Sequence, residues 1–105
     1  MSEQSFLTRA GNFLENMADQ IEDIDIEAKL SIEFYDGILE IIDESDRTYV
    51  INQHSATEKI WYSSPFSGAD YFSYKQNEWQ NKDGISLVNK LAAELESNYA
   101  IKINV

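Results

Sequence analysis

Residues 6–27 constrain the fold more than any other stretch of this chain. At about 100° per residue, Phe6, Ala10, Phe13, Leu14, Met17, Ile21 and Ile24 fall in one arc, an apolar stripe that must be covered by a second layer. On the opposite side Glu15, Asp19, Glu22 and Asp23 recur at i, i+4, i+7 and i+8, so four carboxylates stack along one solvent face. Asp25 and Glu27 extend the acid past the expected helix end. From Ala10 to Asp46 the only basic residue is Lys29, which leaves the ridge almost without local counter-charge.

The spacing predicts a helix from about Ser5 to Asp23, with Ser2 or Ser5 as N-cap. The period then changes to two. Leu30, Ile32 and Phe34 alternate with polar residues, Asp36-Gly37 supplies a hairpin turn, and a second strand returns over Ile38–Ile42. Further strands are expected at Thr48–Gln53, Lys59–Ser64 and Tyr71–Lys75, with a short sixth around Trp79, and His54–Glu58 reads as a solvated turn. A closing helix carries Leu87, Val88, Leu91, Ala92, Leu95 and Tyr99 behind a cap at Asp83 or Ser86, and the tail Ile101–Val105 packs back on the domain. Short hairpins imply antiparallel pairing. The expected architecture is of the α+β class, a two-layer α/β sandwich with two helices packed on one face of a twisted antiparallel sheet of about six short strands. No linker, repeat or composition shift divides residues 1–105, which read as one domain.

Composition removes several function classes. A net charge of -11 argues against nucleic acid or an anionic membrane surface and favours cations or a basic protein. The absence of cysteine excludes disulfides, thiolate metal sites and cysteine nucleophiles. No stretch approaches the roughly 20 apolar residues of a membrane span. Asp23-x-Asp25-x-Glu27 fails as a calcium loop, because Ala28 and Phe34 stand where glycine and glutamate are needed. With Ile60 and Tyr62 facing the helices, Trp61 projects from the uncovered sheet face, where it either forms with Asn52 a flat patch suited to a protein partner or packs on its strand neighbours.

Three stretches, Tyr49-Val50-Ile51-Asn52, Ile60-Trp61-Tyr62-Ser63-Ser64-Pro65 with Ser67-Gly68, and Asp83-Gly84-Ile85-Ser86-Leu87 with Leu91-Ala92-Ala93-Glu94-Leu95, follow the acidic helix in fixed order. In this the chain resembles the frataxin family of iron–sulfur cluster biogenesis along nearly its whole length. The resemblance implies the sandwich fold reached above. It also implies weak iron binding (Fe²⁺ or Fe³⁺) on the ridge carboxylates Glu15, Asp19, Glu22, Asp23, Asp25 and Glu27. A cysteine desulfurase and an iron–sulfur scaffold protein are the implied partners, contacted through Glu22, Asp23, Glu33 and Asp36 and through the sheet residues Asn52, Gln53 and Trp61. A monomer is expected without metal, with oligomers driven by iron. The first five residues lack the pattern of a signal peptide, so a bacterial cytoplasmic setting is expected, with a processed mitochondrial matrix form as the alternative.

The carboxylates themselves suit this role. They are hard oxygen ligands, and without histidine or cysteine they have little means of choosing among Fe²⁺, Fe³⁺, Mn²⁺, Ca²⁺ and Mg²⁺, so other divalent cations compete. A dedicated enzyme is not expected, since exposed side chains lack the burial that would split their pKa values. Oxidation of bound Fe²⁺ by dioxygen is left open as a side activity. Two readings stand: an iron donor or regulator of the desulfurase–scaffold pair, and an acidic interaction module whose cation binding is incidental.

Overall fold

The computed structural model describes residues 5–103, so the candidate cap Ser2 and the tail residues Asn104 and Val105 lie outside the described residues. Helix α1 spans Phe6–Ile24 and helix α2 spans Leu87–Tyr99, flanking β1 (Ser31–Tyr35), β2 (Ile38–Ile42), β3 (Thr48–His54), β4 (Lys59–Ser64), β5 (Gly68–Lys75) and β6 (Glu78–Gln80). The strands form one antiparallel meander in the order β1-β2-β3-β4-β5-β6. Both helices cover one face, as the alternation of apolar residues requires.

Local chemistry fixes the joints. Ser5 caps α1 by accepting the amide of Thr8 at 3.2 Å, and Ser86, not Asp83, caps α2 by accepting the amide of Asn89 at 3.0 Å. At the first hairpin Asp36 (φ 51°) and Gly37 (φ 76°) are both left-handed, the conformation a two-residue turn needs to match strand twist. A side chain at Gly37 would also come within 2.5 Å of the Gln53 amide, so the Gln53 side chain would have to move aside. The core lies between the layers. Ala10, Leu14, Met17 and Ile21 of α1 and Leu87, Leu91 and Leu95 of α2 meet Leu39, Ile41, Tyr49, Ile51, Ile60, Tyr62, Phe72 and Trp79 from the sheet. Ile101 and Ile103 are buried against the same cluster, as expected of a tail that packs back.

Two strand assignments shift. β5 begins at Gly68 and not at Tyr71, because Ser64 pairs with Gly68 and Ala69 with Ser63 before the aromatic run starts. His54 belongs to β3, paired with Lys59, and the turn is confined to residues 55–58. It is half-buried and not a solvated turn residue: its ring stacks on Trp61 at 4.0 Å with an interplanar angle of 11°.

Three carboxylates fasten α2 to the sheet at successive levels. Asp70 on β5 accepts Lys90 Nζ at 3.1 Å and Asn81 Nδ2 at 2.9 Å. Glu94 on α2 accepts the hydroxyls of Tyr49 at 2.9 Å, Ser64 at 2.6 Å and Ser67 at 2.8 Å. Asp43, at the end of β2, accepts the Tyr99 hydroxyl at 2.8 Å, the Arg47 guanidinium at 2.8 Å and the amides of Ser45 and Arg47. No side-chain hydrogen bond among the described residues joins α1 to the sheet; its attachment is the apolar stripe and the Arg9 guanidinium over the Tyr74 ring at 4.3 Å.

Candidate functional site

The ridge is built by the same periodicity that builds the core. With Ala10, Leu14, Met17 and Ile21 turned inward, Glu15, Asp19, Glu22 and Asp23 are carried to the outer face of α1, where all four are exposed. None of these four makes an ion pair among the described residues. The last turn of α1 contains no basic residue, so Glu22 and Asp23 sit at the negative end of the helix dipole, where a carboxylate is disfavoured.

The two acidic residues beyond the helix behave differently. Asp25 is only 9% exposed, and its oxygens accept the amides of Lys29 at 2.9 Å and Leu30 at 2.8 Å. It closes the turn from α1 into β1, in which Ala28 takes φ 53°, and so lies apart from the exposed carboxylates of α1 with which the sequence reading grouped it. Glu27 is exposed and pairs with Lys29 at 3.3 Å. Lys29 is itself directed to the C-terminal end of α2, donating to the carbonyl of Tyr99 at 3.0 Å, and so leaves the ridge uncompensated. Among the described residues no three His, Asp or Glu side chains come together closely enough to hold an ion. The ridge presents carboxylates in series, not as a chelate.

Acid continues on the β1 edge. Glu33 is exposed and lies directly opposite Glu40, a like-charge pair, and Asp36 is exposed at the hairpin tip. The Tyr35 hydroxyl donates to Glu40 at 3.0 Å; that bond, with the carboxylates nearby, pushes the phenol pKa up and keeps it a neutral donor. Charged groups on a short edge strand also discourage sheet-to-sheet pairing.

The uncovered face of the sheet places Asn52 opposite Trp61, and Trp61 opposite Tyr71. Trp61 is 37% exposed, held between His54 on its face and the Tyr71 ring at 5.4 Å and 79°. Gln53 does not join them. Adjacent strand residues point to opposite faces, and Gln53 turns toward Gly11 of α1 and the Gly37 turn, with Oε1 buried and unpaired. His54, two residues after Asn52, takes the place that the sequence reading gave to Gln53. Strict period-two counting across residues 52–54 would have found it.

A meander sheet with one face covered by two helices, an acidic outer helix and an aromatic patch on the bare face define an α+β sandwich with two exposed surfaces of different chemistry. Residues 1–100 match the family model described as the frataxin-like domain, and the chain belongs to that family. Among curated relatives it is 41% identical over 69 residues to mitochondrial frataxin of Dictyostelium discoideum, covering 63% of this chain and 36% of that protein. It is 26% identical over 97 residues to the mitochondrial frataxin homolog of Saccharomyces cerevisiae, covering 89% of this chain and 56% of that one. The chain thus spans about a third to little more than half the length of these relatives. Solved structures agree on the fold. Frataxin from Psychromonas ingrahamii superposes with a TM-score of 0.83 at 15% identity, covering 94% of this chain and 92% of that one. Trimeric yeast frataxin complexed with ferrous iron gives 0.74 at 22% identity, covering 92% and 88%.

The uncompensated ridge has a measurable consequence for stability. Glu22→Lys/Asp23→Lys removes repulsion and places cations at the C-terminal end of α1, each change worth about 0.3–1 kcal/mol. The metal-free variant should melt higher than wild type at low salt, and millimolar divalent cation should raise the melting temperature of wild type more than that of the variant. Equal responses to cation would show that the ridge is not electrostatically strained.

Proposed function

We propose that this chain is an iron-binding accessory protein of iron–sulfur cluster assembly, acting on a cysteine desulfurase and its scaffold as iron donor or as regulator. The observation that carries this reading is the ridge of Glu15, Asp19, Glu22 and Asp23, exposed and without counter-charge on a fold of the frataxin family. A divalent ion held by two carboxylates one helical turn apart keeps most of its water, which favours weak and readily reversed binding. The chemistry of iron as cargo is then its release; the protein contributes the local negative potential that concentrates it. Glu22, Asp23, Glu33 and Asp36 offer the same potential to a basic partner, and Asn52, His54 and Trp61 offer the aromatic patch to a second. Ferrous iron in the yeast structure is consistent with this reading. The compartment follows the machinery, bacterial cytoplasm or mitochondrion.

A specific observation supports a second reading. No three ligating side chains converge among the described residues, which suits a docking surface better than a metal centre. In that case the ridge recognises a basic protein surface and cation binding is incidental. Sulfide release by a desulfurase–scaffold pair decides between them, with wild type and Glu22→Lys/Asp23→Lys each assayed with and without Fe²⁺. A rate change by wild type that depends on iron and is lost in the variant supports the first reading. A charge-dependent but iron-independent change supports the second, and no effect under any condition removes the assembly role.

A further inference from the structure

Arg9 is the one basic residue of α1, and its guanidinium lies on an aromatic face instead of an acid. It sits 4.3 Å over the centroid of the Tyr74 ring and makes no ion pair among the described residues, although the chain carries 19 acidic residues. A guanidinium laid over a ring keeps its in-plane N–H donors free, ready to meet a carboxylate edge-on through two hydrogen bonds. Arg9 lines a groove of about 490 Å³ where the first turns of both helices meet the β5–β6 hairpin, a volume within the roughly 300–1,000 Å³ of small-molecule sites. Apolar walls come from Phe13 of α1, Val88 of α2 and Trp79, whose ring packs edge-on against Tyr74 at 5.2 Å. On the α2 side stands Ser86, only 6% exposed: its Oγ accepts the Asn89 amide at 3.0 Å, and its own O–H has no acceptor among the described residues. One acid, Glu78, borders the groove. Adjacent strand residues point to opposite faces, so while Trp79 looks toward the helices, the Glu78 carboxylate turns to the bare face and accepts Gln80 Nε2 at 2.7 Å.

We infer that this groove is a binding site for a small aromatic carboxylate. The ring enters the slot between Phe13, Val88 and Trp79, and the carboxylate meets the Arg9 guanidinium, with the Ser86 hydroxyl as a further donor and the positive end of the α2 dipole behind it. Charge complementarity selects the occupant: a cation without an acid partner and a buried donor without an acceptor both ask for an anion, in a chain whose acidic side chains otherwise gather on the far half of α1 and the β1 edge. One guanidinium matches one carboxylate and not the several charges of a nucleotide, and the apolar walls ask for a ring beside it. A ligand here touches α1, α2 and the β5–β6 hairpin together. It therefore supplies the polar tie that α1 otherwise lacks, and binding stabilises the fold by mass action. The site needs no metal and does not depend on the assembly role.

Trp79 fluorescence, isolated by Trp61→Phe on the opposite sheet face, tests this by titration with 3-phenylpropionate in chelator. The emission should change saturably at millimolar ligand or below, and the same ligand should raise the melting temperature followed by circular dichroism. The isosteric amide 3-phenylpropionamide, which keeps the ring and loses the charge, and propionate, which keeps the charge and loses the ring, should each bind about tenfold more weakly or less. Arg9→Gln should weaken 3-phenylpropionate by about tenfold and leave the amide unchanged, and Arg9→Lys should restore only part of the loss. If an Arg9 variant does not fold, the three ligands on the intact chain still separate charge from ring. Two-dimensional amide NMR spectra should place the ligand-induced shifts at Arg9, Phe13, Trp79 and Ser86–Asn89 and spare the ridge. No saturable change, equal binding of the acid and its amide, or shifts centred away from the groove would overturn the proposal.

Discussion

Glu94→Ala should lower stability by about 2–4 kcal/mol, a large loss for one charged residue on a helix. Removing the carboxylate leaves the Tyr49 hydroxyl, on a fully buried residue, and the buried Ser64 hydroxyl without an acceptor, together with the Ser67 hydroxyl at the surface. An orphaned buried donor costs about 1–3 kcal/mol, far more than a matched pair contributes net. A loss of that size lowers the melting temperature by roughly 10–25 °C in a chain of this length. The measurement is a double-mutant cycle with Tyr49→Phe. Phenylalanine keeps the ring packing against Tyr62 at 6.0 Å while deleting the donor, so the two changes together should cost less than their sum. Strict additivity would mean that the hydrogen bond adds nothing.

The acid limb of the stability profile should be steep and should run through Asp43. Burial pushes this carboxyl up, but the hydrogen bonds from Tyr99, Arg47 and Ser45 outweigh it and hold the pKa at about 2. Asp70 and Glu94 are likewise lowered: burial opposes ionisation, and donors from Asn81, the Tyr71 amide and Lys90, or from Ser64, Ser67 and Tyr49, reverse it. A folded pKa below the unfolded one supplies stability that is complete above the unfolded value and lost as pH falls through the folded value, here from about pH 4 toward about pH 2. A second effect runs the other way. Net charge shrinks toward zero as pH approaches 4.2, which relieves ridge repulsion. The melting temperature should therefore rise from pH 8 to a maximum at roughly pH 5 and collapse below pH 4. Asp43→Asn should cost about 1–2 kcal/mol at neutral pH and flatten the acid limb. Parallel acid limbs for wild type and variant would show that Asp43 is not the group being protonated.

Much of this was legible in the sequence because two periods carried it. The 3.6-residue repeat from Phe6 to Ile24 fixed both the buried stripe and the ridge, and the alternation in residues 30–62 fixed which side chains enter the core. The turn made by Asp25 was not legible, because an acidic residue just after an acidic helix looks like more of the same. That turn depends on Ala28 becoming left-handed and bringing two amides back to Asp25, a backbone event with no side-chain signature. Glu94 gave no signal for a similar reason. It reads as a solvent-facing charge until the β4–β5 turn folds Ser64 and Ser67 over it. The groove joins Arg9, Trp79 and Ser86, separated along the chain and brought together only after both helices pack on the paired β5 and β6.

The two helices have unequal freedom to change. Lys90, Glu94 and Tyr99 of α2, four and five residues apart, are each bound into a polar contact with the sheet side, so a substitution at any of them disturbs partners on other strands. α1 is held almost wholly by its apolar stripe, and its outer carboxylates touch nothing that folding requires. Its charge pattern can change one residue at a time with the core intact, each step shifting stability by only about 0.3–1 kcal/mol. The evolvable part of this molecule is the outer face of α1, and the clamped second helix is what leaves that face at liberty.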